Sequence, residues 1–195
     1  MERQTVEITT DQIKALRART GAGIVDCRNA LRQSGGDVER AVEILKAKGL
    51  ATAQKKASRV AAQGLIEAYI HTGGKVGAIV EVNCETDFVA RTDEFQKLAR
   101  DLAMQITATA PRYVRREEIP DEVIEEQRRL FAVEAGASGE ALEQRLARWY
   151  QEVVLLEQPF IRDERRTVRD LITEAVARIG ENIQVRRFAR FRIGE

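Results

Sequence analysis

The side chains in this sequence with potential for chemistry are two cysteines, one histidine and many carboxylates. Cys27 and Cys84 stand far apart and form no paired metal-ligand spacing, so no metal site is expected. A nucleophilic thiolate needs a positive neighbour to lower its pKa. Cys84 instead adjoins Glu85, in the stretch Asn83-Cys84-Glu85-Thr86-Asp87-Phe88-Val89-Ala90-Arg91. Both cysteines therefore read as packed, reduced thiols. His71 lies in the turn-like run His71-Thr72-Gly73-Gly74 and reads as a solvated side chain rather than a general base. Glu117-Glu118 and Glu125-Glu126 fall on expected helical or loop surfaces without companions for acid–base work. Neither a Gly-x-x-x-x-Gly-Lys-Ser/Thr phosphate loop nor a Gly-x-Gly-x-x-Gly run is present. The residues thus predict no enzyme, no cofactor and no nucleotide site. They leave one stretch built for contact, in which Phe88 either plugs the local core or faces outward.

The elements that hold this stretch are legible on both sides. Val76, Ala78, Val80 and Val82 alternate with Gly77, Ile79, Glu81 and Asn83, the period of a strand. Phe95, Leu98, Ala99, Leu102 and Ile106 recur at helical spacing. Thr86 is placed to cap a first helical turn, and Thr92, followed by Asp93 and Glu94, to cap a longer helix. The stretch is a strand-to-helix corner, and Phe88 falls at its tight break.

At 195 residues, 44% apolar and 32% charged, the chain has room for one large domain or a small one beside a larger. No apolar run is long enough to span a bilayer. The opening Met1-Glu2-Arg3-Gln4 lacks the apolar core of a secretory signal, so the expected address is the cytosol. The net charge of +1 hides an asymmetry, with 12 Lys/Arg against 7 Asp/Glu in the first 60 residues and a slight acidic excess beyond. That bias suits RNA or an acidic protein face, yet falls short of a nucleic-acid footprint.

Residues 9–49 predict three short helices. The first, capped by Thr9 or Thr10, carries Ile13 and Leu16; the second presents Ile24, Cys27 and Leu31; the third, capped by Asp37, carries Val38, Ala41, Val42 and Leu45 and stops at Gly49. Ile24 shares the stripe of Cys27 and Leu31 and is expected in the core, whereas Val25 lies off it and is the surface candidate. Residues 50–63 read as a linker with helical tendency, whose Lys55, Lys56 and Arg59 either face solvent or grip an acidic partner. Leu65, Ile66, Tyr69 and Ile70 open a hairpin that turns at Thr72-Gly73-Gly74-Lys75. Pro111 ends the following helix. Val123/Leu130 and Ile124/Phe131, then Leu142, Leu146, Trp149 and Val153 beyond Gly136 and Gly139, predict an antiparallel helical hairpin. Thr167 caps a last helix that Gly180 closes, and residues 183–193 form a final strand with its parity broken at Arg187. The mixture of Arg186, Arg187, Phe188, Arg190, Phe191 and Arg192 suits either an amphipathic sheet strand or stacking on single-stranded RNA.

Asn83-Cys84-Glu85 followed by Thr86-Asp87-Phe88-Val89 resembles the motif of the elongation factor Ts family. Thr20-Gly21-Ala22-Gly23-Ile24-Val25-Asp26-Cys27 with Ala30-Leu31 is similar to that family's N-terminal helical domain, itself like the ubiquitin-associated fold; methionines often stand there in place of Ile24 and Val25. The segments 153–160, 179–183 and 185–188 resemble its C-terminal part. The resemblance implies an α+β fold, with a three-helix domain in residues 1–54 and an antiparallel-sheet core with packed helices in residues 55–195, including a helical hairpin at about 121–157. It also implies a guanine-nucleotide exchange factor that binds elongation factor Tu in its GDP-bound and nucleotide-free states. Thr86, Asp87, Phe88 and Val89 would then act at the partner's magnesium site, with a second contact through Ile24 and Val25. Longer members carry two related core subdomains. This chain has room for one, which implies a homodimer. The alternative is an RNA- or ribosome-binding module using the basic N-terminus and the Arg/Phe strand.

Overall fold

In the computed structural model, which describes residues 8–135 and 139–195, the first element begins at a reciprocal cap. The Thr9 hydroxyl accepts the Gln12 N–H and the Gln12 side chain accepts the Thr9 N–H, opening α1 (Thr10–Thr20). α2 (Ile24–Gln33) and α3 (Val38–Lys56) follow, the latter capped by Asp37. Leu16, Cys27, Ala30, Leu31 and Ala41 close a small core, with Ile13, Val38, Val42 and Leu45 around it. Gly49 is not the stop expected of it. α3 runs on through Leu50-Ala51-Thr52-Ala53 to Lys56, so half of the expected linker is helix. Gly49 is buried, and a Cβ there would lie 3.6 Å from the Cβ of Ala177. A methyl there would make only ordinary van der Waals contact, so the helix continues through a buried, packed position, and that packing outweighs the weak helix propensity of glycine.

β1 (Gln63–Ile70) and β2 (Val76–Cys84) form the expected hairpin, paired from Gln63↔Cys84 to Ile70↔Gly77. α4 (Asp87–Ala90) is a single turn, and α5 (Asp93–Thr109) follows the Thr92 cap. Phe95, Leu98, Ala99, Leu102 and Ile106 are all buried, against Ala78, Val80, Val82 and Cys84 of β2. At about 1.5–3 kcal/mol for each fully buried large side chain, this interface dominates the core.

Beyond Pro111 the chain enters α6 (Asp121–Ala135) and α7 (Glu140–Val153). Leu146, Trp149 and Val153 pack with Ile119 and Val154 in a cluster of their own, flanked by Val123, Ile124, Phe131 and Leu142. Leu130, expected in that seam, is exposed, and nothing in the geometry of α6 explains why it and not Phe131 turns outward. The expected glycine turn at Gly136 lies outside the described residues. Pro159 opens an unexpected two-stranded ribbon, β3 (Pro159–Phe160) and β4 (Asp163–Thr167). The Thr167 hydroxyl then accepts the Asp170 N–H at the start of α8 (Val168–Ile179), which Gly180 ends at φ 83°.

β5 (Gln184–Arg192) pairs antiparallel with β2, giving the sheet order β1-β2-β5. Its register shifts between Glu81↔Arg187 and Val82↔Val185, leaving Arg186 as an extra residue. This bulge is the physical cause of the broken parity, since one inserted residue flips every side chain beyond it. Val185 points into the core before it and Phe188 after it, while Phe191 faces outward. The architecture is α+β, three helices followed by a sheet core with packed helices.

Gly64, at φ 144°, pairs with Asn83 so closely that a Cβ would overlap the Val82 carbonyl. Gly74, at φ 67°, has open space around it. Positive φ alone costs about 1–3 kcal/mol for other residues. Gly64→Ala is expected to destabilise the fold in urea titrations by roughly 3 kcal/mol or more, against about 1 kcal/mol for Gly74→Ala. Equal losses would contradict the close strand approach.

Candidate functional site

The corner after β2 carries the exposed aromatic. The Thr86 hydroxyl accepts the Val89 N–H at 3.3 Å, capping α4. One helical turn separates its residues into two faces. Val89 and Ala90 turn inward and join the main core, while Asp87 and Phe88 turn outward. Phe88 is 77% exposed, which settles the two readings against a core plug. The Asp87 carboxylate accepts a hydrogen bond from the Arg91 guanidinium at 2.7 Å. Of the four residues grouped as a contact motif, Thr86 is therefore the cap, Asp87 and Phe88 form the protruding tip, and Val89 is its buried anchor.

Cys84 lies beneath the tip, its thiol donating to the Thr86 carbonyl at 3.1 Å. Burial pushes the thiol pKa up, and the Glu181 charge adds to that. Cys27 is likewise buried and its pKa raised by desolvation first. Neither is poised as a thiolate nucleophile. His71 is exposed in its turn, its Nδ1 3.2 Å from the Tyr69 hydroxyl. Among the described residues no group of three or more His, Cys, Asp or Glu side chains is arranged to hold a metal ion. No described helix is long and apolar enough to cross a membrane.

Ile24 corrects the stripe reading. It is 56% exposed, comparable to Val25 at 58%. Ile24 is the first residue of α2, and the small core closes one turn later, where the Cys27 thiol contacts the Ala22 carbonyl. The pair forms an apolar knob on the N-terminal helices, and no hydrogen bond or ion pair joins it to the tip among the described residues. Two members of the charged run at the end of α3 and just beyond it are engaged within the chain. Lys56 Nζ donates to the Gly180 carbonyl, and Arg59 lies 3.5 Å from the Glu85 carboxylate.

A network around the corner escaped sequence reasoning. Glu181 Oε2 accepts the N–H groups of Glu85 and Thr86 at 3.0 and 3.1 Å, and Glu181 Oε1 accepts the Thr86 hydroxyl at 2.7 Å. In return Glu85 Oε1 accepts the Asn182 N–H at 2.7 Å. That N–H, with the Arg59 charge behind it, holds the Glu85 carboxyl below the usual carboxylate range. The only local signal was that residues 179–183 carry part of the resemblance; the pairing itself spans about a hundred residues of chain and leaves no spacing to read.

The Arg/Phe strand is partly engaged within the chain. Arg187 is bound to Glu81 at 2.7 Å, Arg190 to Glu195 at 2.7 Å, and Phe188 packs inward. Stacking needs free aromatic faces beside unpaired cations, and of the strand's two phenylalanines Phe191 alone is exposed, at 68%.

The family model described as elongation factor TS matches residues 40–195. Elongation factor Ts of Carboxydothermus hydrogenoformans is 55% identical over 195 residues, covering 96% of this chain and 90% of the relative. The protein of the same name from Heliobacterium modesticaldum is 53% identical, covering 96% and 91%. That from Herpetosiphon aurantiacus is 52% identical, covering 97% and 99%. With a family match over more than half of its length and relatives of this identity over nearly all of it, the chain belongs to the elongation factor Ts family.

Proposed function

We propose that this chain is the guanine-nucleotide exchange factor of elongation factor Tu in protein synthesis, and that the Asp87-Phe88 tip is its working part. The observation that carries the reading is the 77% exposure of Phe88 on a turn whose other face is buried. An apolar ring held in water by a rigid turn loses solvent-exposed area when it enters an apolar pocket, and little conformational entropy is lost with it.

The factor binds nucleotide-free partner more tightly than GDP-bound partner. Linkage then requires that its binding weaken GDP by the same factor. Phe88 enters an apolar pocket beside the partner's magnesium site, with Asp87 released from Arg91 to make polar contacts there. Displacing the groups that hold magnesium leaves the phosphate charge less well compensated, which raises the energy of bound GDP. No bond is made or broken, so the corner needs no nucleophile and no general base.

Burying one phenylalanine ring is worth about 1.5–3 kcal/mol. Each ~1.36 kcal/mol off a barrier is tenfold in rate. Phe88→Ala is accordingly expected to slow factor-stimulated release of fluorescent GDP by roughly ten- to a hundredfold in stopped flow, with Asp87→Ala slower than wild type by a smaller factor. Unchanged release by a folded Phe88→Ala protein would remove the tip from the mechanism.

Ile24 and Val25 supply a separate docking contact on the N-terminal helices. Their exposed apolar side chains fit a contact that sets affinity rather than the release step. Val25→Asp should raise the half-saturating concentration of factor while leaving the maximal release rate near wild type. A lowered maximal rate with unchanged half-saturation would contradict that role.

The homodimer is supported by the outer face of the sheet. Ala68, Ile79 and Ala189 lie in one cross-strand row and Ile70, Gly77 and Phe191 in the next. Ile66, Ile70, Ile79 and Phe191 are all exposed, and cross-strand neighbours of this kind form a contiguous apolar surface. Ile79→Asp is expected to convert the dimer to a monomer in light scattering. A wild-type chain that is already monomeric would overturn this part of the reading.

A further inference from the structure

We propose that Glu181 is a positioning residue for exchange: its carboxylate holds the Thr86-Asp87-Phe88 tip in the geometry that enters the partner, an inference that rests on the exchange reading above. Glu181 forms no ion pair among the described residues, and its carboxylate receives three donors from the corner instead. Two are the consecutive N–H groups of Glu85 and Thr86, and the third is the Thr86 hydroxyl. That hydroxyl donates to Glu181 and accepts from the Val89 N–H. One carboxylate therefore fixes the orientation of the very oxygen that caps the turn bearing Phe88.

The two halves of the tip are held by different physics. Val89 and Ala90 anchor its C-terminal side through the core, which resists sliding yet does little to set the direction of residues 86–88. On its N-terminal side the last core residue is Cys84, whose thiol reaches the Thr86 carbonyl at 3.1 Å; beyond it Glu85 is only partly buried and Thr86, Asp87 and Phe88 are exposed. Charge-assisted hydrogen bonds are directional and about twice as strong as neutral ones, so a carboxylate accepting three of them supplies the orientation that packing leaves free.

Glu181 is itself held from behind. The Asn182 N–H donates to Glu85, and the Asn182 side-chain amide donates to the carbonyls of Arg59 at 2.7 Å and Ala57 at 3.4 Å. The dipeptide Glu181-Asn182 thus clasps Glu85-Thr86 reciprocally and ties the corner to the segment that leaves α3. Gly180, in the left-handed conformation at the end of α8, turns the chain so that this dipeptide meets the corner.

The test compares full-length Glu181→Gln with Phe88→Ala in stopped-flow release of fluorescent GDP from elongation factor Tu, alongside amide hydrogen exchange of the free factor. Glutamine keeps the shape of the side chain but sets an NH2 group among the donors. It is expected to lower the maximal release rate about tenfold while the half-saturating concentration moves less than about threefold. The Glu85 and Thr86 amides should exchange faster, while those of Val80 and Val82 stay protected. Thr86→Ser, which keeps the hydroxyl, should release GDP faster than Thr86→Val. Thr86→Val should be slow, and adding Glu181→Gln to it should slow it little further, as expected of two residues acting through one contact. A normal maximal rate for Glu181→Gln beside an impaired Phe88→Ala would overturn the positioning role alone. Loss of protection at Val80 and Val82 as well would reduce Glu181 to general stability and overturn it too. A normal rate for Phe88→Ala would overturn the exchange reading, and this inference with it.

Discussion

An apolar ring can stand in water on a protein surface only if its backbone is held by something other than the ring. That constraint organises the corner between β2 and α4. The buried face of β2, from Ala78 to Cys84, rests on α5, and the single turn of α4 drives Val89 and Ala90 into the same core. The turn is too short to be stable alone, since one helical turn fixes several dihedral angles for a single hydrogen bond. It persists because a threonine caps it, the core anchors one side, and the Glu181 carboxylate binds the other.

The same junction gathers parts of the chain that are distant in sequence. α3 extends past its expected end, crosses α8 at Gly49, and delivers Lys56 to the Gly180 carbonyl. Asn182 then takes up the carbonyls of Ala57 and Arg59. The N-terminal helices, the last helix and the corner therefore meet around residues 180–182. The cluster formed by α6 and α7 stands apart from this junction, with a core of its own around Trp149.

What could be read in advance was what is local. The caps at Thr9, Asp37, Thr86, Thr92 and Thr167 all form as their neighbours predict, because a cap is decided within three residues. The β1–β2 hairpin and the stripe of α5 follow from periodicity alone. Three of the failures are cases where the surroundings in space decided. Gly49 looks like a stop until it is seen buried against a second helix; the parity of β5 is inexplicable until Arg186 is seen as a bulge; Ile24 shares a stripe with Cys27 but lies beyond the end of the core. At the site, the motif containing Phe88 was visible, its outward direction was not, and the Glu181 clasp left no spacing to read.

The most direct measurement places a fluorinated phenylalanine at position 88 and follows its fluorine resonance as GDP-bound elongation factor Tu is added. In the free factor the resonance should show most of the solvent-isotope shift of a ring in water, in keeping with its 77% exposure. In the complex it should move and lose that shift, in step with GDP release. A resonance that still senses solvent at saturating partner, while GDP is released at the normal rate, would contradict the claim that this ring enters the partner.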